Sequence, residues 1–262
     1  MAQVQKTKIS IPYYTTYTHV YQLAKAIKEG AEQIPNVEVT LYRIPETLPQ
    51  EVLEKMHAAP PTSDPEFTPE LLTQADGVLF GFPTRFGSLP AQLKSFLDAC
   101  GGLWASGALR NKFAGTFVST SSQHGGQETT HLAMINFFAH NGMAYVPLGY
   151  ASDHVGEDEE LIGGSPYGAS VIAGSDGSRM PNEKELDIAR TQGRKFAQIV
   201  STYVKGNAEV PEAPKEEIPE TPKVESAEAE YPKVEAPKAE APKLQSTEKP
   251  KSKSFFKRLF CI

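Results

Sequence analysis

Five consecutive residues, Thr15-Thr-Tyr-Thr-His19, put four side-chain hydroxyls and an imidazole into one short segment. Set where the free N–H groups of a helix start meet the positive end of its dipole, such side chains form a phosphate cradle without Lys or Arg. The competing reading is structural: Thr18 is an N-cap and its polar neighbours are incidental, because Thr commonly starts helices. Two further segments carry related chemistry, Phe82-Pro-Thr-Arg-Phe-Gly87 and Ser119-Thr-Ser-Ser-Gln-His-Gly-Gly-Gln-Glu128. Taken singly, Pro83, Gly87, Gly125 and Gly126 read as turn formers and Arg85 as a solvated charge. Taken together, small, hydroxyl and aromatic residues of this kind line a flat ring. The chain has no G-x-G-x-x-G and no G-x-x-x-x-G-K-[ST]. A dinucleotide Rossmann site and a P-loop NTPase thereby lose their defining loops, and the cradle suits a monophosphate better.

The elements that must position these segments are legible from periodicity. Ile9 and Ile11 alternate with polar residues, and Val20, Leu23, Ala24, Ile27 and Ala31 then follow helical spacing, so the chain reads strand, loop, helix. Val37, Val39 and Leu41 mark a second strand, and a short helix over 69–73 precedes the apolar run Val78-Leu-Phe-Gly-Phe82, typical of a strand covered on both faces. The pattern continues with a helix over 89–99, a strand over 113–119, a helix over 129–139, a strand over 144–147 and a final helix through Ala189, Phe196, Ala197, Val200 and Val204. Strands alternating with helices imply an α/β fold, a flavodoxin-like doubly wound sheet of five parallel strands with helices on both faces. In it, ligand loops gather at the carboxyl ends of the strands. A phosphate anchor after the first strand, with ring-facing loops after the third and fourth, fits flavin mononucleotide (FMN) at the switch point.

The chain has 262 residues and a net charge of −6, too acidic for a general nucleic-acid binder. Its two cysteines, Cys100 and Cys261, stand far apart with no C-x-x-C, against a disulfide scaffold or a zinc module. Cys100, in Phe96-Leu-Asp-Ala-Cys100, reads as a small buried hydrophobe. The six histidines, His19, His57, His124, His131, His140 and His154, include no H-E-x-x-H, so no metal site is expected and they read as surface or site-lining polar groups. There is no G-x-S-x-G hydrolase elbow. The acidic run 157–160 reads as a solvated loop. Residues 1–10 carry no secretory-leader pattern and no apolar run approaches the roughly 20 residues of a membrane span, so the expectation is a reducing cytosolic setting.

Composition divides the chain into 1–206, a flavodoxin-like domain, 207–248, a Pro/Glu/Lys/Ala-rich linker, and 249–262, a basic, Phe-rich tip. The linker holds five Lys against eleven Glu and cannot bury enough apolar surface to offset its chain entropy, so it reads as a disordered spacer. The tip has four Lys, one Arg and no acid. In a helix its Phe255, Phe256, Leu259 and Phe260 share one side, suited to a lipid surface. Cys261 is followed only by Ile262, so no C-a-a-X signal is expected, and S-acylation of Cys261 beside basic and aromatic residues is the expected anchor on the cytoplasmic face of the plasma membrane. The alternative is a tail with incidental hydrophobes.

Tyr13-Tyr-Thr-Thr-Tyr-Thr-His-Val20, Pro83-Thr-Arg-Phe-Gly87, Gly101-Gly-Leu-Trp-Ala-Ser-Gly-Ala-Leu109, His124-Gly-Gly-Gln-Glu128, Gly163-Gly-Ser-Pro-Tyr-Gly168 and Ala173-Gly-Ser-Asp-Gly-Ser-Arg179 occur in that order. Together, over residues 8–205, they resemble the flavodoxin-like NAD(P)H:quinone oxidoreductases of the WrbA type, in particular fungal members with an extended tail. The resemblance implies FMN phosphate held by Thr15, Thr16, Tyr17, Thr18, His19 and Val20. It implies the rest of the cofactor held by Pro83, Thr84, Arg85, Phe86, Ser119, Thr120, Ser121, Ser122, Gln123, His124 and Gly125, with a further contact from His140. Trp104 matches the family's substrate-stacking tryptophan and Tyr17 the position that approaches the nicotinamide nucleotide. NADH or NADPH as donor, a quinone as acceptor on the same flavin face, and a homotetramer follow from the same resemblance, and no catalytic acid or base is assigned. Two departures from the family pattern matter: Gly is usual where Thr18 stands, and a second His is common where Asn141 follows His140. If position 18 requires positive φ, a β-branched residue is unfavourable there. The alternatives are a tethered interaction protein that binds flavin poorly and a one-electron flavodoxin carrier, the latter lacking a counterpart of the segment around Trp104.

Overall fold

The computed structural model describes residues 6–157 and 159–209. The tip with Cys261, and the linker beyond Glu209, lie outside the described residues. In chain order the elements are β1 (Thr7–Tyr13), α1 (His19–Ala31), β2 (Val37–Arg43), α2 (Gln50–Lys55), α3 (Pro69–Gln74), β3 (Gly77–Pro83), α4 (Ala91–Asp98) and α5 (Gly101–Ser106). Then follow β4 (Phe113–Thr120), α6 (Gln127–Leu132), α7 (Ile135–His140), β5 (Ala144–Tyr145), β6 (Ser170–Ile172) and α8 (Glu183–Glu209). The strands are parallel in the order β2-β1-β3-β4-β5, with β6 also paired to β4.

This is the doubly wound, flavodoxin-like sheet the periodicity implies, with one elaboration at its fifth position. β5 pairs with Phe113 and Ala114 at the start of β4, whereas β6 pairs with Val118, Ser119 and Thr120 at its end. Two short segments thus share one edge of β4, separated by the insertion 146–169. Three residues of β6 are too few to show alternation, so it was invisible to periodicity. The helix expected over 129–139 is two helices, because the Met134 N–H bonds His131 O, a tightened turn that breaks the run. α2 and α5 bury no residue fully and leave no apolar stripe to detect; two glycines at the start of α5 lower its helix propensity further. α8 continues to Glu209, past the composition change at Asn207.

The sheet is covered on both faces. Ile9, Ile11, Leu79 and Phe117 meet α1 and α8 on one side, while Val78, Phe80, Phe82, Ala114 and Val118 meet α3, α4 and α7 on the other. α1 and α8 cross at backbone contact: a Cβ at Gly30 would lie 1.9 Å from Arg190 O, and one at Gly193 would lie 1.9 Å from Ile27 O. That crossing fixes the axis of α1, and with it the direction in which its first turn points. Cys100 is buried and gives its Sγ to Phe96 O at 3.3 Å; burial pushes its thiol up to about 11, consistent with an inert core residue. Among the described residues no helix is long and apolar enough to cross a membrane.

Candidate functional site

β1 ends at Tyr13 and α1 begins at His19, so the five-residue segment forms the turn between them. Thr15, Thr16, Tyr17 and His19 from this turn, Pro83, Thr84 and Arg85 after β3, Ser119 and Thr120 at the end of β4, and Ala173 after β6 line one small, partly open cavity. The first N–H groups of α1 have no intrahelical acceptor and open toward this turn. The sequence reading of a cradle without a cation needs correction. Arg85 Nη2 reaches Thr16 Oγ1 at 3.3 Å while Nη1 holds Thr84 O at 2.9 Å, so a guanidinium arrives from the β3 loop. His19 is 4% exposed, and its Nε2 is buried without a hydrogen-bond partner. Burial holds the imidazole below its ordinary pKa, against the backbone hydrogen bonds of Arg179 and Gly177, so the ring is neutral at pH 7. Threonine hydroxyls, a guanidinium and a helix N-terminus are together the donor set of a phosphomonoester site, with the His19 ring packed beside them.

Thr18 occupies the N-cap position but does not cap. Its φ is 69° and its ψ −10°, left-handed, and its side chain makes no hydrogen bond to the helix. A β-branched residue there costs about 1 to 2 kcal/mol. The turn requires positive φ regardless of which residue supplies it.

The β3 and β4 loops are locked together beneath the cavity. Thr84 N–H bonds Ser119 O at 2.8 Å, and Thr84 Oγ1 accepts from Gly87 N–H at 3.1 Å and from Thr130 Oγ1 at 2.8 Å. Gln127 Nε2 donates to Thr120 Oγ1 at 3.1 Å, and Ala173 N–H to Thr120 O at 2.7 Å. Gly87 and Gly126 make this closeness possible: both have positive φ, 74° and 81°, and a Cβ at Gly126 would sit 2.9 Å from the Gly87 Cα.

The remaining candidates lie elsewhere. The Val20 side chain belongs to the core. Thr18 lines a neighbouring cleft. Phe86 is 85% exposed with φ 55° at the rim. Ser121 and Gly125 are half-buried and Ser122, Gln123 and His124 exposed; Gln123 and His124 line a separate open cleft with Gln127, Glu128, His154 and Glu157. Trp104 and His140 are exposed at the opposite end of the sheet. α4 carries the chain back from the carboxyl end of β3, α5 follows, and Asn111 N–H bonds Gly142 O just before β4 and β5 begin. The eight residues of β4 separate that end from the cavity by about 23 Å.

Two groups escaped the sequence reading. Glu185 is fully buried on α8, and its carboxylate accepts from Gly163 N–H at 2.8 Å, Ile172 N–H at 3.1 Å, Asn182 N–H at 2.9 Å and Arg179 Nη1 at 2.9 Å. It thereby ties the cavity-lining loop after β6 to the helix. The signal was present: Asn182 and Glu185, three apart, form a reciprocal capping box, with Glu185 N–H on Asn182 Oδ1 at 2.9 Å. His131, expected at the surface or in the site, is fully buried between Thr116 Oγ1 at 2.7 Å and Ser170 Oγ at 3.2 Å, and burial lowers its pKa to about 3. Glu157 is not merely solvated, since it bonds His154 and Lys184.

Comparison with known proteins agrees with this geometry. The family of NADPH-dependent FMN reductases matches residues 18–158. A Candida albicans protein named NAD(P)H quinone oxidoreductase YCP4 is 52% identical over 203 residues, covering 76% of this chain and 70% of its own. Quinone-oxidoreductase QR2 of Triphysaria versicolor is 53% identical over 206 residues, covering 77% of this chain and 99% of its own. Among solved structures, a flavodoxin, WrbA-like protein from Agrobacterium tumefaciens superposes with a TM-score of 0.53 at 23% identity, over 75% of this chain and 99% of that one, a likeness of fold.

Proposed function

This chain belongs to the NADPH-dependent FMN reductase family, among the flavodoxin-like NAD(P)H:quinone oxidoreductases of the WrbA type, and on that premise we propose how its residues carry out FMN-dependent quinone reduction. The observation that carries the reading is the single cavity into which the turns after β1, β3 and β4 converge. Thr15, Thr16, the Arg85 guanidinium and the first N–H groups of α1 would hold the cofactor's phosphate, with the His19 ring lining the same cavity. The interlocked Thr84 and Thr120 loops would support its ring and keep water from the face they cover. When bound, FMN supplies two-electron transfer between a nicotinamide donor and a quinone acceptor. Phe86, projecting from the rim, is placed to wall a flat partner; NAD(P)H and the quinone use that face in turn.

The positions of Trp104 and His140 support assembly. Both lie toward the amino end of β4, away from their own chain's cavity, and would serve a neighbouring copy in a homotetramer with sites at subunit boundaries. The tip supports a location: five basic charges and an acylated Cys261 would attach the enzyme to the cytoplasmic face of the plasma membrane, where it would reduce lipid-soluble quinones in an antioxidant role. One observation favours a second reading, a tethered interaction protein with weak flavin binding, namely the strained Thr18.

Flavin titration and steady-state kinetics test the reading together. The expected result is about one FMN per chain at micromolar protein, and parallel double-reciprocal lines with NADH or NADPH and a benzoquinone. No fluorescence quenching supports the interaction protein, and intersecting lines refute the shared face. Membrane fractionation of wild type and Cys261→Ser tests the anchor: equal partitioning of both removes Cys261 from it.

A further inference from the structure

The loop over 173–179, which follows β6, borders the cavity and has little of its own to hold it in place. Its sequence is Ala-Gly-Ser-Asp-Gly-Ser-Arg, with positive φ at Gly174 and Gly177, 81° and 71°, and with Ser175, Asp176 and Ser178 exposed. A segment that buries so little apolar surface does not offset its ordering entropy by packing. Polar contacts at its two ends must do so. Ala173 N–H bonds Thr120 O at 2.7 Å, and Arg179 N–H returns to Ala173 O at 3.0 Å to close the loop on itself.

The closed loop is then tied to the body of the protein through Arg179 and Glu185. The guanidinium sends Nη1 to Ile172 O at 2.6 Å and to both Glu185 carboxylate oxygens at 2.9 Å, while Nη2 donates to Leu161 O at 2.9 Å. Starting a helix requires much less. The capping box uses Glu185 only as the acceptor for Asn182 N–H, whereas Gly163 N–H, Ile172 N–H and Arg179 come to the same carboxylate from outside α8. A fully buried carboxylate is costly unless every lone pair is used, and here the partners that use them belong to the insertion, to β6 and to the loop.

The inner side of that loop meets the cradle. Ala173 lines the cavity beside Thr15, Thr16 and His19, and the His19 ring, in the first turn of α1, hydrogen-bonds the backbone of Arg179 and Gly177. Burial lowers the His19 pKa and the Glu185 charge works against it, so the carboxylate stands within electrostatic reach of the ring. Glu185 is not among the residues that line the cavity, and it acts at one remove. We propose that Glu185 is a positioning residue for the cofactor's phosphate: through Arg179 it holds the 173–179 loop against His19, and the loop keeps that ring and the first turn of α1 where the phosphate needs them. That the group held is FMN rests on the function proposed above; the hold of Glu185 on the loop does not.

Arg179→Lys in the full-length chain tests this, because a lysine keeps the positive charge beside the buried carboxylate but cannot serve Ile172 O, Leu161 O and Glu185 at once as a planar fork does. Amide hydrogen exchange on the flavin-free chain comes first. The expected result is exchange about tenfold faster over 161–164 and 172–179, with β1 and β3 as in wild type. Unchanged exchange in the two segments overturns the hold. The FMN Kd, read by fluorescence quenching, should rise about tenfold in Arg179→Lys, and by less than about twofold when the same change is made in His19→Phe, which keeps a flat ring but removes the nitrogens. A loop of merely structural importance would act independently of His19, so an equal rise in both backgrounds overturns the route through that ring. Faster exchange with an unchanged Kd overturns the positioning role. Arg190→Gln, which breaks exposed pairs with Glu29 and Glu183 on the same helix, should leave exchange and Kd at wild-type values, and an effect equal to that of Arg179→Lys would assign the changes to α8 at large and overturn the proposal. Glu185→Gln, which removes the charge and keeps an acceptor oxygen, gives the same readings if the lysine variant does not fold. Faster exchange in Arg179→Lys with no FMN binding by wild type refutes the flavin reading and leaves the hold of Glu185 on the loop standing.

Discussion

The two ends of the sheet are built on different terms. At the carboxyl end nearly every polar group is committed: Thr84, Thr120, Thr130 and Gln127 bond one another across loops, Glu185 gathers the strand β6 and its following loop, and Arg85 bridges to Thr16. What is left over, the first turn of α1 with His19, lines one cavity. At the amino end Trp104 is 60% exposed and His140 stands at the exposed end of α7. The first arrangement gathers a phosphate cradle within one chain. The second stands apart from that cradle, and on the proposed assembly the contrast predicts that cofactor affinity and substrate handling are separable by mutation.

The largest expected effect tests the committed end. Arg85→Ala should weaken FMN binding by about 3 kcal/mol, the upper range for a hydrogen bond to a charged group, read by flavin fluorescence quenching. An unchanged Kd would remove the guanidinium from the cradle. The scaffold behind that end should show itself in acid. His131 titrates near 3 in the folded state against about 6.5 when unfolded. Between those values the unfolded chain binds a proton that the folded chain does not, so stability is complete above pH 6.5 and falls as pH drops toward 3. At pH 4.5 the loss should be roughly 2 to 3 kcal/mol, and urea midpoints of His131→Gln should show a flatter pH dependence over this window than wild type. Thr15→Ala and Thr16→Ala should each cost FMN about 1 to 2 kcal/mol, with the quinone KM at saturating FMN unaffected.

The amino end predicts the reverse pattern. Trp104→Ala should raise the quinone KM about fivefold, near 1 kcal/mol, and leave the FMN Kd at the wild-type value. Dilution that lowers the mass seen by light scattering from tetramer to monomer should reproduce the same KM change in wild type; a monomer with full activity would collapse the distinction between the two ends. The smallest effect belongs to Thr18→Gly. It relieves the left-handed strain but frees the unfolded chain, for a net gain of about 0.5 to 1 kcal/mol in stability by denaturant unfolding.

Much of this molecule was legible without coordinates. The spacing of Val20, Leu23, Ala24 and Ile27 specified a helix, and the run from Val78 to Phe82 a strand buried on both faces, because burying an amphipathic or fully apolar segment leaves only one periodicity open to it. Strands alternating with helices then determined the parallel sheet and the end at which its ligand loops gather, through the fixed hand of the crossover. The segments that hold Thr15, Thr16, His19, Thr84, Arg85, Ser119 and Thr120 could be grouped at that end for that reason, and the family resemblance then picked out the individual residues. Tertiary structure decided the rest. Arg85 meets Thr16 across 69 positions of sequence, β6 pairs with β4 although three residues carry no period, and Glu185 closes onto a loop through contacts that no local pattern encodes. Thr18 shows the division most plainly: its identity suggested a cap, whereas the chain's path from β1 into α1 forces φ to 69° and turns the hydroxyl away from the helix. Local sequence selects among a residue's easy conformations, and only the closure of the whole sheet can hold one in a conformation it disfavours.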